Sequence, residues 1–116
     1  MLQSNKDLAV EIANIIFNKK GIDVMVIDIA EKSSFADYFV IASGNSERQA
    51  ASLVDDVDSK LAEKGIVPKH IEGKADSGWV LMDYGDIIVN IFTKEQRGVY
   101  NIERIWGDGE IIEINE

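Results

Sequence analysis

Apolar and polar positions recur along this chain with helical or strand periods, and the densest pattern lies in residues 79–92. There Trp79-Val80-Leu81-Met82 and Ile87-Ile88-Val89-Asn90-Ile91-Phe92 flank Asp83-Tyr84-Gly85-Asp86. Tyr84-Gly85 is short enough for a tight reversal and supplies a glycine where positive φ is needed, so the pattern predicts an antiparallel hairpin at the centre of a sheet. In its second strand Ile87, Val89 and Ile91 point one way, and Ile88, Asn90 and Phe92 the other. Both faces are mostly apolar and need cover. The protein's own helices supply one cover. A partner supplying the other would give Asp83, Asp86 and Asn90 a reason to sit among apolar residues. The alternative is that the two acids cap the turn and Asn90 is a satisfied core amide.

The same reasoning places the remaining elements. Ser4 or Asn5 caps a helix over 6–20, whose Leu8, Ile12, Ile15 and Ile16 share a face, with Gly21 as its stop. Residues 24–29 are β-branched and too few for a helix, so they read as a first strand. A polar loop over 31–34 leads to a second strand over 37–43, and so short a connection makes the pair antiparallel. Gly44 ends that strand. Ser46 with Gln49 has capping-box spacing and opens a second helix with Ala50, Leu53, Val54, Val57 and Leu61 as its buried stripe. Asp55, Asp56, Asp58, Lys60, Glu63 and Lys64 form a solvated face, and Gly65 stops the helix. Lys20-Gly21-Ile22 and Lys64-Gly65-Ile66 read as one helix-stop chemistry used twice. After Pro68, a short strand over 69–72 follows a helical crossover and so runs parallel to its predecessor. A polar loop over 73–78 enters the hairpin. Thr93 and Gln96 then open a third helix through Val99, Ile102 and Trp106, weakened by Gly98. The isoleucine-spaced tail after Gly107 reads as an edge strand or as disorder.

Length and composition narrow the class. At 116 residues the chain is one domain, 1–116, of mixed α/β type: a five-stranded mixed sheet flanked by helices. It has no cysteine, which excludes disulfides and thiol chemistry. The first residues lack a basic segment followed by an apolar core, and no apolar run approaches the roughly 20 residues of a membrane span, so a cytoplasmic protein is expected. With 12 basic against 21 acidic residues the formal net charge is −9, which repels nucleic-acid phosphates and favours a basic partner.

Candidate catalytic chemistry is sparse. His70 is the only histidine, with no nucleophile elbow and no histidine companion for a metal. Gly44-Asn45-Ser46 before a helix offers backbone N–H groups to a phosphate, but no Gly-Lys-Ser/Thr follows. Asp83 and Asp86 are a carboxylate pair of the kind that holds Mg²⁺ beside substrate phosphates, or equally a pair of turn caps. Neither a metal nor another cofactor is expected.

Three groups of residues carry a family resemblance. Asp37-Tyr38-Phe39-Val40-Ile41-Ala42-Ser43-Gly44-Asn45-Ser46 with Arg48-Gln49, the block from Trp79 through Phe92, and the spaced set Arg97, Tyr100, Glu103 and Trp106 together resemble the ribosomal silencing factor family, RsfS or Iojap. The resemblance spans nearly the whole chain. It implies a non-enzymatic factor that docks on the ribosomal protein numbered fourteen of the large ribosomal subunit. It further implies that this blocks joining of the small subunit, represses translation under nutrient limitation and contributes to large-subunit biogenesis. The implied fold is similar to that of nucleotidyltransferases without their catalytic carboxylates. The competing reading is a small Mg²⁺-dependent nucleotidyltransferase-like enzyme or nucleotide-binding domain. The family usually carries His where this chain has Asn90, and Asn cannot take a proton near neutral pH. Trp79, Met82, Asp83, Tyr84, Asn90, Arg97 and Tyr100 are the expected contact residues, with Trp, Tyr and Arg the types enriched among interface anchors. A homodimer of the free protein, sealed by the same apolar face, is compatible with that reading.

Overall fold

A computed structural model describes residues 4–30, 36–100 and 110–112. Its elements are α1 (Asn5–Asn18), β1 (Ile22–Asp28), β2 (Tyr38–Gly44), α2 (Glu47–Ala62), β3 (His70–Lys74), a 3₁₀ turn (Ala75–Ser77), β4 (Trp79–Asp83), β5 (Ile87–Thr93), α3 (Lys94–Tyr100) and β6 (Glu110–Ile112). The strands form one mixed sheet in the order β3-β4-β5-β2-β1-β6, and among these pairs only β2 and β5 are parallel. All five expected strands are present. The tail adds β6 as a short edge strand beside β1.

Local chemistry explains the helix ends. Ser4 Oγ accepts from the Asp7 N–H at 3.1 Å and starts α1. At its other end the Lys20 N–H donates to Phe17 O and the Gly21 N–H to Ile16 O, and it is Lys20 that carries the positive φ, +73°. Gly21 is needed for a different reason, because a Cβ there would overlap Ile16 Cγ2 and stand 2.8 Å from Ile16 O. In α2 the same bond pattern runs from Gly65 to Ala62 and from Ile66 to Leu61, with the positive φ on Gly65 itself. The two Lys-Gly-Ile phrases are therefore offset by one residue in the same helix-stop motif, which corrects the expectation that they act identically.

Both long helices cover one face of the sheet. Ile12, Ile15 and Ile16 of α1 and Leu53, Val57 and Leu61 of α2 pack with Val26, Val40, Val80, Met82, Val89 and Ile91. A second cluster on the opposite face joins Ile27, Phe39, Ile41, Ile88 and Phe92, with Trp79 and Leu81 partly buried against it. β3 has the direction of β2, as expected, yet β4 and β5 lie between them, so the α2 crossover delivers it to the sheet's outer edge. All five of its residues are exposed.

The hairpin turns one residue later than its sequence suggests. Asp83 pairs with Ile88 and the Tyr84 N–H donates to Ile87 O at 3.0 Å, leaving Gly85-Asp86 as the two-residue tip. Gly85 sits at φ +93°, the left-handed region a tight hairpin demands.

Among the described residues, α3 is a helix of seven residues with Thr93 Oγ1 accepting from the Gln96 N–H at 3.3 Å. Its expected continuation through Ile102 and Trp106 lies outside the described residues. No described helix is long and apolar enough to cross a membrane.

Candidate partner-binding face

Strand alternation sorts the expected contact residues onto two faces. The face away from α1 and α2 is built in cross-strand rows. Lys74, Trp79, Phe92 and Ser43 form one row, Glu72, Leu81, Asn90 and Ile41 the next, and His70, Asp83, Ile88 and Phe39 the third. Met82 and Tyr84 point the other way, into the cluster under the helices. Met82 is 0% exposed, so it packs and does not present itself to a partner, which corrects its assignment as a contact residue.

Trp79 lies in the first of these rows, one strand in from the β3 edge. Its ring stacks on Phe92 with centroids 5.2 Å apart and planes 22° apart, and its Nε1–H donates to Asn90 Oδ1 at 3.1 Å. Asn90 is 1% exposed and therefore touches no partner directly. It is not the fully satisfied core amide either, because its Nδ2 is buried and without a hydrogen-bond partner. Such a group costs about 1–3 kcal/mol. Turning the amide over offers no relief, since that would set the NH₂ against the indole N–H.

Arg97 is 8% exposed and its Nη1 donates to Ser43 Oγ at 2.9 Å, so it braces α3 against β2 from within. The Tyr100 side chain lies outside the described residues. Beside Trp79, a shallow groove of about 190 Å³ is lined by Glu72, Gly73, Ser77, Trp79 and Leu81. Glu72 and Leu81 were not singled out by sequence, although they share the facing parity of Trp79. Alternation counted outward from Trp79 would have found Leu81 and rejected Met82.

The acids around the turn serve separate partners. Asp83 Oδ1 accepts from the Gly85 N–H at 2.7 Å, the turn-capping role, and its Oδ2 lies 3.7 Å from His70 Nδ1. His70 Nε2 lies 3.5 Å from Glu72 Oε1, so protonated His70 would stand between two carboxylates. Asp86 Oδ2 instead accepts from Asn5 Nδ2 at 3.1 Å, and the same amide donates to Asp37 Oδ2 at 3.2 Å. The two carboxylates are thus engaged on different sides and do not converge on one cation.

The phosphate reading fares no better. A cleft of about 630 Å³ does open between Asn45-Ser46 and Thr93-Lys94, but Glu47, Asp76 and Glu95 line it against the single Lys94. The Asn45 N–H is already taken by Gln49 Oε1 at 2.7 Å, and the Gln49 N–H by Ser46 Oγ at 3.1 Å. A phosphate would meet three carboxylates, with the Asn45 and Gln49 N–H donors already engaged.

On the helical side, burial first, and the charge of Asp58 second, push the Tyr84 hydroxyl up to about 12 from 10.0. Its oxygen is buried without a hydrogen-bond partner.

Comparisons with known proteins agree on one family. The family model described as "Ribosomal silencing factor during starvation" matches residues 2–116. A ribosomal silencing factor of Halalkalibacterium halodurans is 36% identical over 111 residues, 96% of this chain and 95% of the relative. A mouse protein named for mitochondrial assembly of the ribosomal large subunit is 30% identical over 87 residues, 72% of this chain and 38% of that protein. A crystal structure of a Chromobacterium violaceum protein superposes with a TM-score of 0.86 at 28% identity, covering 98% of this chain and 94% of the other. With the matched model and the aligned relative each spanning almost its full length, the chain belongs to the ribosomal silencing factor family.

Proposed function

We propose that this protein silences translation by docking on the large ribosomal subunit, through its ribosomal protein fourteen, and sterically blocking the small subunit. Help in large-subunit assembly would follow from holding the same surface earlier. The observation that carries this reading, beside family membership, is the strip formed by Trp79, Leu81 and Asp83 of β4 with Glu72 of the exposed edge strand β3. It joins half-buried apolar surface to carboxylates, on a chain whose net charge of −9 steers it toward a basic ribosomal protein. The protein acts by occupying a surface and turns nothing over. The enzyme reading has no support from Asp83 and Asp86, which are tied to Gly85 and Asn5. A homodimer of the free protein through this strip would compete with docking.

Titration of isolated ribosomal protein fourteen against the protein tests the assignment. Leu81→Ala and Glu72→Lys are expected to weaken binding, whereas Phe17→Ala, an exposed apolar residue of α1, is expected to leave it unchanged. Equal affinities across the three variants would remove the strip from the interface.

A further inference from the structure

We propose that Asn90 is a positioning residue: from beneath the sheet surface it fixes the indole of Trp79 in the orientation that shapes the partner-binding groove. This inference rests on the ribosome-docking reading above and assigns Asn90 a different role from the direct contact its sequence position suggests.

Asn90 lies in an apolar row. Leu81 is across from it on β4 and Ile41 on β2, with Ile88 and Phe92 as its neighbours on the same face of β5. A branched apolar side chain would suit that setting and remove the unpartnered Nδ2, but it would also take away the acceptor of the Trp79 indole N–H. The amide is there instead, and its nitrogen has no partner, so only its oxygen is used. That oxygen accepts the indole N–H at 3.1 Å. Stacking on Phe92 fixes the plane of the Trp79 ring, and the hydrogen bond fixes its rotation within that plane. Trp79 in turn walls the groove shared with Glu72, Gly73, Ser77 and Leu81. A residue with 1% exposure therefore sets the shape of a surface it does not reach.

The test uses Asn90→Leu, which removes the acceptor and the orphaned donor together, and Asn90→His at pH 8, where a neutral ring nitrogen can accept the indole N–H. Three quantities are read: the Kd for purified large ribosomal subunits, the melting temperature, and hydrogen exchange of the ¹⁵N-labelled Trp79 indole N–H, identified by its persistence in Trp106→Phe. For Asn90→Leu the expected result is a Kd about tenfold higher, a melting temperature no lower than the native one and faster indole exchange. For Asn90→His the Kd and the slow exchange return toward native values. Asn90→Val is the second variant if Leu does not fit, with the same expectation. Native affinity in Asn90→Leu or Asn90→Val despite fast indole exchange would overturn the proposal. So would a loss of binding matched by a loss of melting temperature, which marks a merely structural residue. If the native protein itself fails to bind large subunits, the docking reading fails, and slow indole exchange abolished by Leu would still show the Asn90 latch.

Discussion

Neighbours on β4 should fail in opposite ways when truncated, because Met82 points under the helices and Leu81 points to the other face. Met82 is fully buried among Val80, Val89 and the apolar stripes of α1 and α2. Met82→Ala removes its thioether and terminal methyl from a packed site, and such truncations cost about 2–5 kcal/mol. Taking about 3 kcal/mol and a urea slope of about 2 kcal/mol/M, the unfolding midpoint should fall by about 1.5 M with the slope unchanged. Leu81 is only partly buried, so Leu81→Ala should cost folding roughly 1 kcal/mol, well below full burial of a leucine. Ribosome binding should show the reverse order. With both variants held below their transitions, Leu81→Ala should weaken affinity for large subunits by about tenfold, while Met82→Ala binds as the native protein does. A Met82→Ala variant with an unchanged midpoint and lost binding would refute the assignment of faces.

Other consequences follow from single groups. The Tyr84 phenol is neutral up to about pH 12 in the folded chain but ionises near 10.0 when unfolded, so stability is fully present below about pH 10 and declines as pH rises toward about 12. Tyr84→Phe should flatten that alkaline decline in urea titrations and cost little at pH 7, because it removes a buried hydroxyl with no partner; an unchanged alkaline slope would count against the burial of this group. Gly85→Ala should destabilise by about 1–2 kcal/mol through backbone strain, since the added Cβ would meet only the end of the Lys69 side chain, Cε at 3.4 Å and Nζ at 3.5 Å; a neutral effect on the melting temperature would contradict the +93° φ. Asn5→Ala should cost under about 1 kcal/mol, and more at low salt than at high salt, because it leaves Asp37 and Asp86 without the amide that bridges them.

Much of the architecture was legible because period and punctuation agree. The isoleucine stripe of α1 and the capping Ser46 of α2 specify their helices locally, and the β-branched runs of β1, β2 and β5 specify strands. What escaped the sequence depends on register and on contacts distant along the chain. The hairpin tip shifted from Tyr84-Gly85 to Gly85-Asp86 because the pairing of Asp83 with Ile88 is set by which face each residue must bury, not by the turn alone. The edge position of β3 depends on β5 reaching β2 first, a parallel pairing that no local signal announces. The placement of the candidate contact residues escaped for a similar reason. Residue type picked out Trp79, Met82, Asp83 and Tyr84 as one group, but strand alternation divides them, and the Trp79–Asn90 bond joins residues that only the folded hairpin brings together.

The measurement that bears most directly on silencing by steric exclusion is sedimentation of the native protein with separated large subunits and with preformed complete ribosomes. The protein should travel with the large subunits and remain unbound in the presence of complete ribosomes, because its docking surface would then be covered by the small subunit. Equal binding to both particles would contradict the mechanism.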